Sequence, residues 1–153
     1  MSNCMKILMV CLGNICRSPM AQGILESRIR DKNLDWEIDS AGTSGWHDGE
    51  GPDNRAILAS KKKGVDISKQ VSRKITIADL DYYDVIFAMD SSNYQDIIKI
   101  CSTETQKSKV KLIMNLKYPG MNMAVPDPYY DGKFDEVFEL LNDAMDDVIN
   151  ALV

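Results

Sequence analysis

The stretch that most constrains this chain is the apolar run Ile7-Leu8-Met9-Val10, then Cys11-Leu12-Gly13-Asn14-Ile15-Cys16-Arg17-Ser18-Pro19, then an apolar face at Met20, Ala21, Ile24, Leu25 and Ile29. A short apolar run reads as a buried strand, and apolar residues at three- and four-residue spacing read as a helix. The unit is strand, loop, helix. Pro19 suits the first helical position, and Ser18 the cap or the position beside it. Free N–H groups and the positive end of the helix dipole converge on the loop, so an anion, phosphate above all, is the expected guest.

Cys11 at the entrance of this loop and Arg17 near its end add chemistry to binding. A cysteine beside a helix N-terminus and an arginine has its thiolate stabilised by both, so Cys11 is expected to be ionised at neutral pH and to act as a nucleophile. Arg17 offers a planar fork that matches two phosphoryl oxygens. Ser18 is suited to donate its hydroxyl to the sulfur, above all when the sulfur departs as a thiolate. The blander readings, a core thiol and a surface ion pair, leave the joint spacing of Cys11 and Arg17 unexplained. No Gly-Lys-Ser/Thr occurs, which excludes the nucleotide-binding loop. With His47 the one histidine and no Cys-x-x-Cys pair, no metal site is expected.

Further along, Trp36-Glu37-Ile38-Asp39-Ser40 alternates as a second strand and breaks at Ala41-Gly42-Thr43-Ser44-Gly45. Strand–helix–strand implies a parallel pair, and ligands bind beyond the carboxyl ends of such strands, where Cys11 and Ser40 fall. Asp53 is a candidate cap for a helix through Ala56, Ile57 and Leu58, stopped by Gly64, with Lys61, Lys62 and Lys63 as its solvated end. Thr76 and Asp79 make a capping-box pattern. Asp84–Met89 and Val110–Met114 read as the third and fourth strands. A helix from Ser91 or Ser92 lies between them, with Tyr94, Ile97, Ile98 and Cys101 on its apolar side. Residues 115–128 form a long loop. Phe134, Val137, Phe138, Leu141, Met145, Val148, Ile149 and Leu152 mark a final amphipathic helix whose acidic face reads as solvated. The expected class is α/β: one domain over residues 1–153, with a four-stranded parallel sheet and helices on both faces.

Val10 to Pro19 resembles the signature loop of the low-molecular-weight protein tyrosine phosphatases, and Asp127-Pro128-Tyr129-Tyr130 resembles that family's general-acid loop. Cys-x5-Arg-Ser occurs in unrelated phosphatase folds as well. Gly13-Asn14, Cys16, Pro19 and the distant Asp-Pro-Tyr-Tyr make the likeness specific, and it extends over nearly the whole chain. The resemblance implies strand order 2-1-3-4, no cofactor, and hydrolysis of phosphotyrosine in proteins or peptides, and of small aryl phosphates, through a phosphocysteine on Cys11 with release of inorganic phosphate. Arg17 and the loop residues Leu12, Gly13, Asn14, Ile15, Cys16 and Ser18 would bind the phosphate. Asp127 would be general acid and then general base, protonated at first because substrate phosphate and thiolate bury it. By itself it is also a turn residue before Pro128.

Several further residues carry two readings. Asn14 suits a left-handed turn; the resemblance pairs it with Ser40, which alone reads as a turn hydroxyl. Asp90 resembles a supporting acid and equally reads as a helix cap. Trp46 and Tyr129 resemble aromatic walls around a substrate ring, with packing beneath the loop the alternative for Trp46; Tyr130 either joins them or is a phosphorylation site. His47 reads as an exposed bystander. Cys16, across the ring from Cys11, either fills space or forms a reversible disulfide that spares Cys11 from over-oxidation.

Two departures from the family pattern stand out. Ile67-Ser68-Lys69-Gln70 lacks the histidine common after the second helix, so the network under the loop is expected to be built differently. Asp53-Asn54-Arg55 replaces the usual Asp-Pro-Arg. Ile15 fits the tyrosine-directed branch, because related arginine phosphatases carry threonine there. Arsenate reductases of this fold need another cysteine pair, and only Cys101 lies downstream. A phosphate-binding or redox-sensing module without turnover is the reading from a different class; Cys11, Arg17 and Asp127 together speak against it.

A net charge of −5 without a basic stripe argues against a nucleic-acid partner. No apolar run approaches the ~20 residues of a membrane span, and the N-terminus lacks the form of a secretory signal. Four cysteines do not suggest a disulfide scaffold, and a thiolate nucleophile needs a reducing compartment. A cytoplasmic monomer is expected.

Overall fold

The computed structural model describes residues 4–153. In chain order the elements are β1 (Lys6–Cys11), α1 (Arg17–Asp31), β2 (Glu37–Gly42), α2 (Asn54–Lys61), α3 (Ile77–Tyr82), β3 (Val85–Ala88), α4 (Ser91–Ile100), α5 (Glu104–Ser108), β4 (Val110–Leu112), a 3-10 turn (Ile113–Leu116) and α6 (Phe134–Leu152). The four strands form one parallel sheet in the order β2-β1-β3-β4, as the resemblance implied. Alternation along β1 divides its side chains between two apolar layers. Ile7, Met9 and Cys11 face the layer built with α1, α2 and α6, while Leu8 and Val10 face the layer containing Leu80 and Ile97 of α3 and α4. Cys11 therefore points toward the side where α1 begins.

The structure moves several boundaries. Helix α1 starts at Arg17 with Cys16 as its cap, and Met20 N–H donates to the Cys16 carbonyl at 3.2 Å, so Pro19 is the third helical residue. No N–H in the first turn has an intrahelical acceptor, which makes proline tolerable at any of those positions. Strand β2 runs on to Gly42, which leaves Ser40 inside the strand opposite Met9 instead of at its end. Gly42 is required there: a Cβ would stand 2.7 Å from the Leu12 carbonyl oxygen, so a side chain would push the phosphate loop away. The fourth strand stops at Leu112 because the chain coils into the 3-10 turn, and α5, capped by Thr103, is an element that periodicity had not disclosed. The acidic face of α6 is solvated, and on it Lys62 pairs with Asp135, Lys63 with Glu139 and Arg28 with Asp146.

Two caps read from sequence are present. Asp53 accepts from Arg55 N–H at 2.8 Å, and Thr76 and Asp79 complete a reciprocal capping box. Asp79 also accepts from Arg73, which in turn holds Asp39. Burial alone would push the Asp79 carboxyl up, but the hydrogen bonds from Arg73 and the Thr76 backbone outweigh it and hold the group below its ordinary value. A lowered folded pKa contributes stability above the unfolded value of ~3.9 and loses it as pH falls through the folded one. Asp79→Asn is therefore expected to cost about 1–2 kcal/mol at pH 7. The gap to the native protein should close in acid, in melting curves recorded from pH 7 downward.

Candidate active site

The carboxyl end of β1 and the start of α1 frame a pocket of about 220 Å³ lined by Cys11, Leu12, Gly13, Ile15, Cys16 and Arg17 on the loop side. Trp46, His47, Asp127, Tyr129 and Tyr130 complete the opposite walls. The loop owes its shape to Asn14, whose φ of 57° is the left-handed turn that asparagine tolerates. Asn14 Nδ2 donates to Ser18 Oγ at 2.8 Å and to Ser40 Oγ at 2.9 Å, and all three residues are buried behind the loop. Ser18 Oγ lies 3.0 Å from Cys11 Sγ.

Arg17 is 3 % exposed, so its charge needs partners. Its Nη1 donates to Asp90 Oδ2 at 2.6 Å and to the Val125 carbonyl at 3.0 Å, while Nη2 stands 3.8 Å from Asp127 Oδ2. Burial opposes the charge, but the neighbouring Cys11 and Asp90 hold the guanidinium above its ordinary value. Asp90 fills both roles read for it, because its other oxygen caps α4 through Asn93 N–H at 2.8 Å. The Asp127 side chain is 37 % exposed at the mouth of the pocket. Its Oδ1 accepts from Tyr129 N–H at 3.1 Å, a tight turn before the aromatic pair.

Trp46 is 77 % exposed, which excludes packing beneath the loop. Tyr129 and Tyr130 meet edge to face at 5.0 Å, and the Arg55 guanidinium lies 5.3 Å from the Tyr129 ring. His47 is not a bystander: a Cβ on Gly13 would be 3.1 Å from its ring, and its Nδ1 is 3.1 Å from Glu50 Oε2. Cys16 is buried and its thiol is free, as is that of Cys11. Burial, then Asp53, Cys11 and Asp127, push the Cys16 thiol well above its ordinary value against the pull of Arg55. Among the described residues no group of three His, Cys, Asp or Glu side chains is arranged to hold a metal ion.

Residues 6–153 match the family model described as low molecular weight phosphotyrosine protein phosphatase. The chain belongs to that family. A low molecular weight phosphotyrosine protein phosphatase of Schizosaccharomyces pombe is 40% identical over 135 residues, covering 86% of this chain and 85% of the relative. The crystal structure of a protein tyrosine phosphatase from Entamoeba histolytica with Hepes in the active site superposes with a TM-score of 0.89 at 36% identity, covering 97% and 96% of the two chains. A Drosophila arginine phosphatase superposes with a TM-score of 0.88 at 31% identity, covering 96% of this chain and 97% of its own. Curated relatives of the chain are named as protein-tyrosine phosphatases, a family of hydrolases.

The network under the loop contains no histidine. Ser72 Oγ donates to the Asn14 carbonyl at 2.5 Å, Arg73 N–H donates to Asn14 Oδ1 at 3.1 Å, and Ser40 Oγ donates to Gln22 Oε1 at 2.7 Å. Sequence reasoning missed Gln22, Ser72 and Arg73. Gln22 alone left a trace, as a polar residue inside an apolar helical stretch four residues from Ser18.

Proposed function

We propose that this protein hydrolyses phosphotyrosine in proteins and peptides, and small aryl phosphates, by way of a phosphocysteine on Cys11. The observation that carries the reading is the convergence on one pocket of Cys11 Sγ, the Arg17 guanidinium and the Asp127 carboxyl, the last two 3.8 Å apart. The Cys11 thiolate attacks phosphorus while Arg17 and the backbone N–H groups of residues 12–18 hold the phosphoryl oxygens. The P–O bond to the phenol breaks and the departing oxygen takes the Asp127 proton. Water then attacks phosphorus, the Asp127 carboxylate takes its proton, and inorganic phosphate leaves as the thiolate reforms. Trp46, Tyr129 and Tyr130 line the pocket beside the loop, and contact with their rings would favour an aryl over a short alkyl phosphate.

A neighbouring groove lined by Glu50, Asp53 and Arg55 shares Ile15, His47 and Tyr129 with the pocket and suits the chain flanking a phosphotyrosine. Residues 1–153 act in this reading as one catalytic domain and a monomer, in keeping with a family model that spans residues 6–153. No described helix is long and apolar enough to cross a membrane; a free nucleophilic thiol suits the reducing cytoplasm.

The test is chemical. Rapid denaturation during turnover of a phosphotyrosine peptide should trap phosphate on Cys11 by mass analysis, and phosphoserine and phosphoarginine peptides should not load it at comparable rates. Preferential loading from phosphoarginine would transfer the chain to the arginine-directed branch despite Ile15. No phosphocysteine from any donor would leave the module without turnover.

Cys16 supports a redox role as well. Its raised thiol stays protonated while Cys11 reacts, so peroxide would convert Cys11 first to the sulfenic acid, losing hydroxide. Attack by Cys16 sulfur would then form the disulfide and release water. Mild peroxide is expected to yield a Cys11–Cys16 linked peptide and activity recoverable with dithiothreitol. Uniform sulfinic acid at Cys11 would reject the switch.

A further inference from the structure

The hydrogen bonds beneath the phosphate loop form one directed chain, and its direction is set outside the loop. The Arg73 backbone N–H can only donate, and it donates to Asn14 Oδ1, so the amino end of that amide faces Ser18 and Ser40. Both serine oxygens accept from Asn14, and each hydroxyl keeps one proton to give elsewhere. Ser40 gives its proton to Gln22 Oε1 at 2.7 Å, and Gln22 Nε2 reaches Glu26 Oε2 at 3.5 Å, which orients the glutamine amide. Ser18 has one other partner among the described residues, Cys11 Sγ at 3.0 Å.

We propose, on the reading that Cys11 is the nucleophile, that Gln22 is a positioning residue: by taking the Ser40 proton it keeps Asn14 donating to both serines and so keeps the Ser18 proton on the sulfur. Gln22 is 8 % exposed and Ser40 3 %, so water does not substitute for either. Without the Gln22 acceptor, the buried Ser40 proton is left unpaired and the Ser40 oxygen becomes a weaker acceptor for the Asn14 amino group. Rotating the Asn14 amide would offer that proton an acceptor but would set the Asn14 amino group against the Arg73 N–H. Either outcome loosens the donor that holds Ser18, and the sulfur anion loses part of a charge-assisted hydrogen bond. Ser18, Gln22 and Glu26 stand at four-residue intervals on α1, so the helix itself supplies the geometry.

The test is the pH dependence of Cys11 alkylation by iodoacetamide, a neutral reagent, with aryl phosphate kinetics alongside. In Gln22→Met, which nearly keeps volume and removes the acceptor, the pH of half-maximal alkylation is expected to rise by about 1 unit and kcat to fall roughly 10-fold with KM within about twofold. Ser40→Ala breaks the same link and should raise the midpoint as well. Because both act through one path, Gln22→Met/Ser40→Ala should shift it no further than the larger single change. An unchanged midpoint in Gln22→Met, or shifts that add in the double variant, would make Gln22 a packing residue and overturn the proposal. If Gln22→Met does not fold, Gln22→Leu, which also removes the acceptor, takes its place: a raised midpoint upholds the proposal and a native one overturns it. Alkylation reports on the sulfur with or without turnover, so a native protein that turns over no aryl phosphate sinks the functional reading separately.

Discussion

Cys11→Ser is expected to stop hydrolysis of aryl phosphates, with kcat lower by on the order of 10⁴-fold or more, while the protein still binds tungstate or inorganic phosphate. A serine hydroxyl in this position has no adjacent base. Asp127 is a carboxyl on the far wall, Ser18 donates toward the sulfur, and among the described residues Cys11 Sγ makes no hydrogen bond other than that with Ser18. A serine hydroxyl without such a base is a far weaker nucleophile than a cysteine sulfur. The anion cradle does not depend on sulfur, because Arg17 remains clamped by Asp90 and Val125 and the loop remains pinned at Asn14. Serine is smaller than cysteine and does not crowd the cradle, so anion affinity should hold. Turnover assays beside calorimetric titration with tungstate decide the point. Residual activity within tenfold of native would remove Cys11 from the role of nucleophile, and loss of anion binding would recast it as a structural residue.

For Asp127→Ala the second large effect depends on the leaving group. A general acid is worth roughly 10²–10⁴ in rate when the departing oxygen is strongly basic and far less when it leaves readily as an anion. Phenyl and tyrosyl phosphates should therefore lose about two or more decades in kcat, whereas 4-nitrophenyl phosphate loses distinctly less. The geometry gives the carboxyl a stable platform: Val125 N–H donates to the Met89 carbonyl at 2.8 Å, its carbonyl accepts from Arg17, and Pro128 is buried. A plot of log kcat against leaving-group pKa should be steeper in the variant than in the native enzyme. Parallel plots would reject Asp127 as the acid and leave it as a partner of Arg17.

The chemistry was more legible in the sequence than its support. Cys11, Arg17 and Ser18 sit within one loop, and local spacing, a turn and a helix start suffice to aim them at a common anion. Asp127 needed the family resemblance, because the single residue reads as a turn before proline until the sheet brings it back across the pocket. His47 was misread for the same reason: exposure in a glycine-rich loop gives no hint that its ring rests against Gly13. Asn14 could be read as a left-handed turn, but its partners lie on β2, α1 and the segment before α3. Ser72 and Arg73 hold it through a carbonyl contact and a backbone N–H, which leave no mark on residue type.

By itself the sequence determined the buried strand before the loop, the helix that follows the loop, the caps at Asp53 and Thr76, and the amphipathic α6, since each depends on residues near one another along the chain. Only the tertiary structure decided where β2 and β4 end, how Asp90 serves a helix and an arginine at once, and which way the protons point beneath the loop. Those outcomes depend on atoms brought together from opposite ends of the chain, and a hydrogen bond has a direction that no pattern of residue types records.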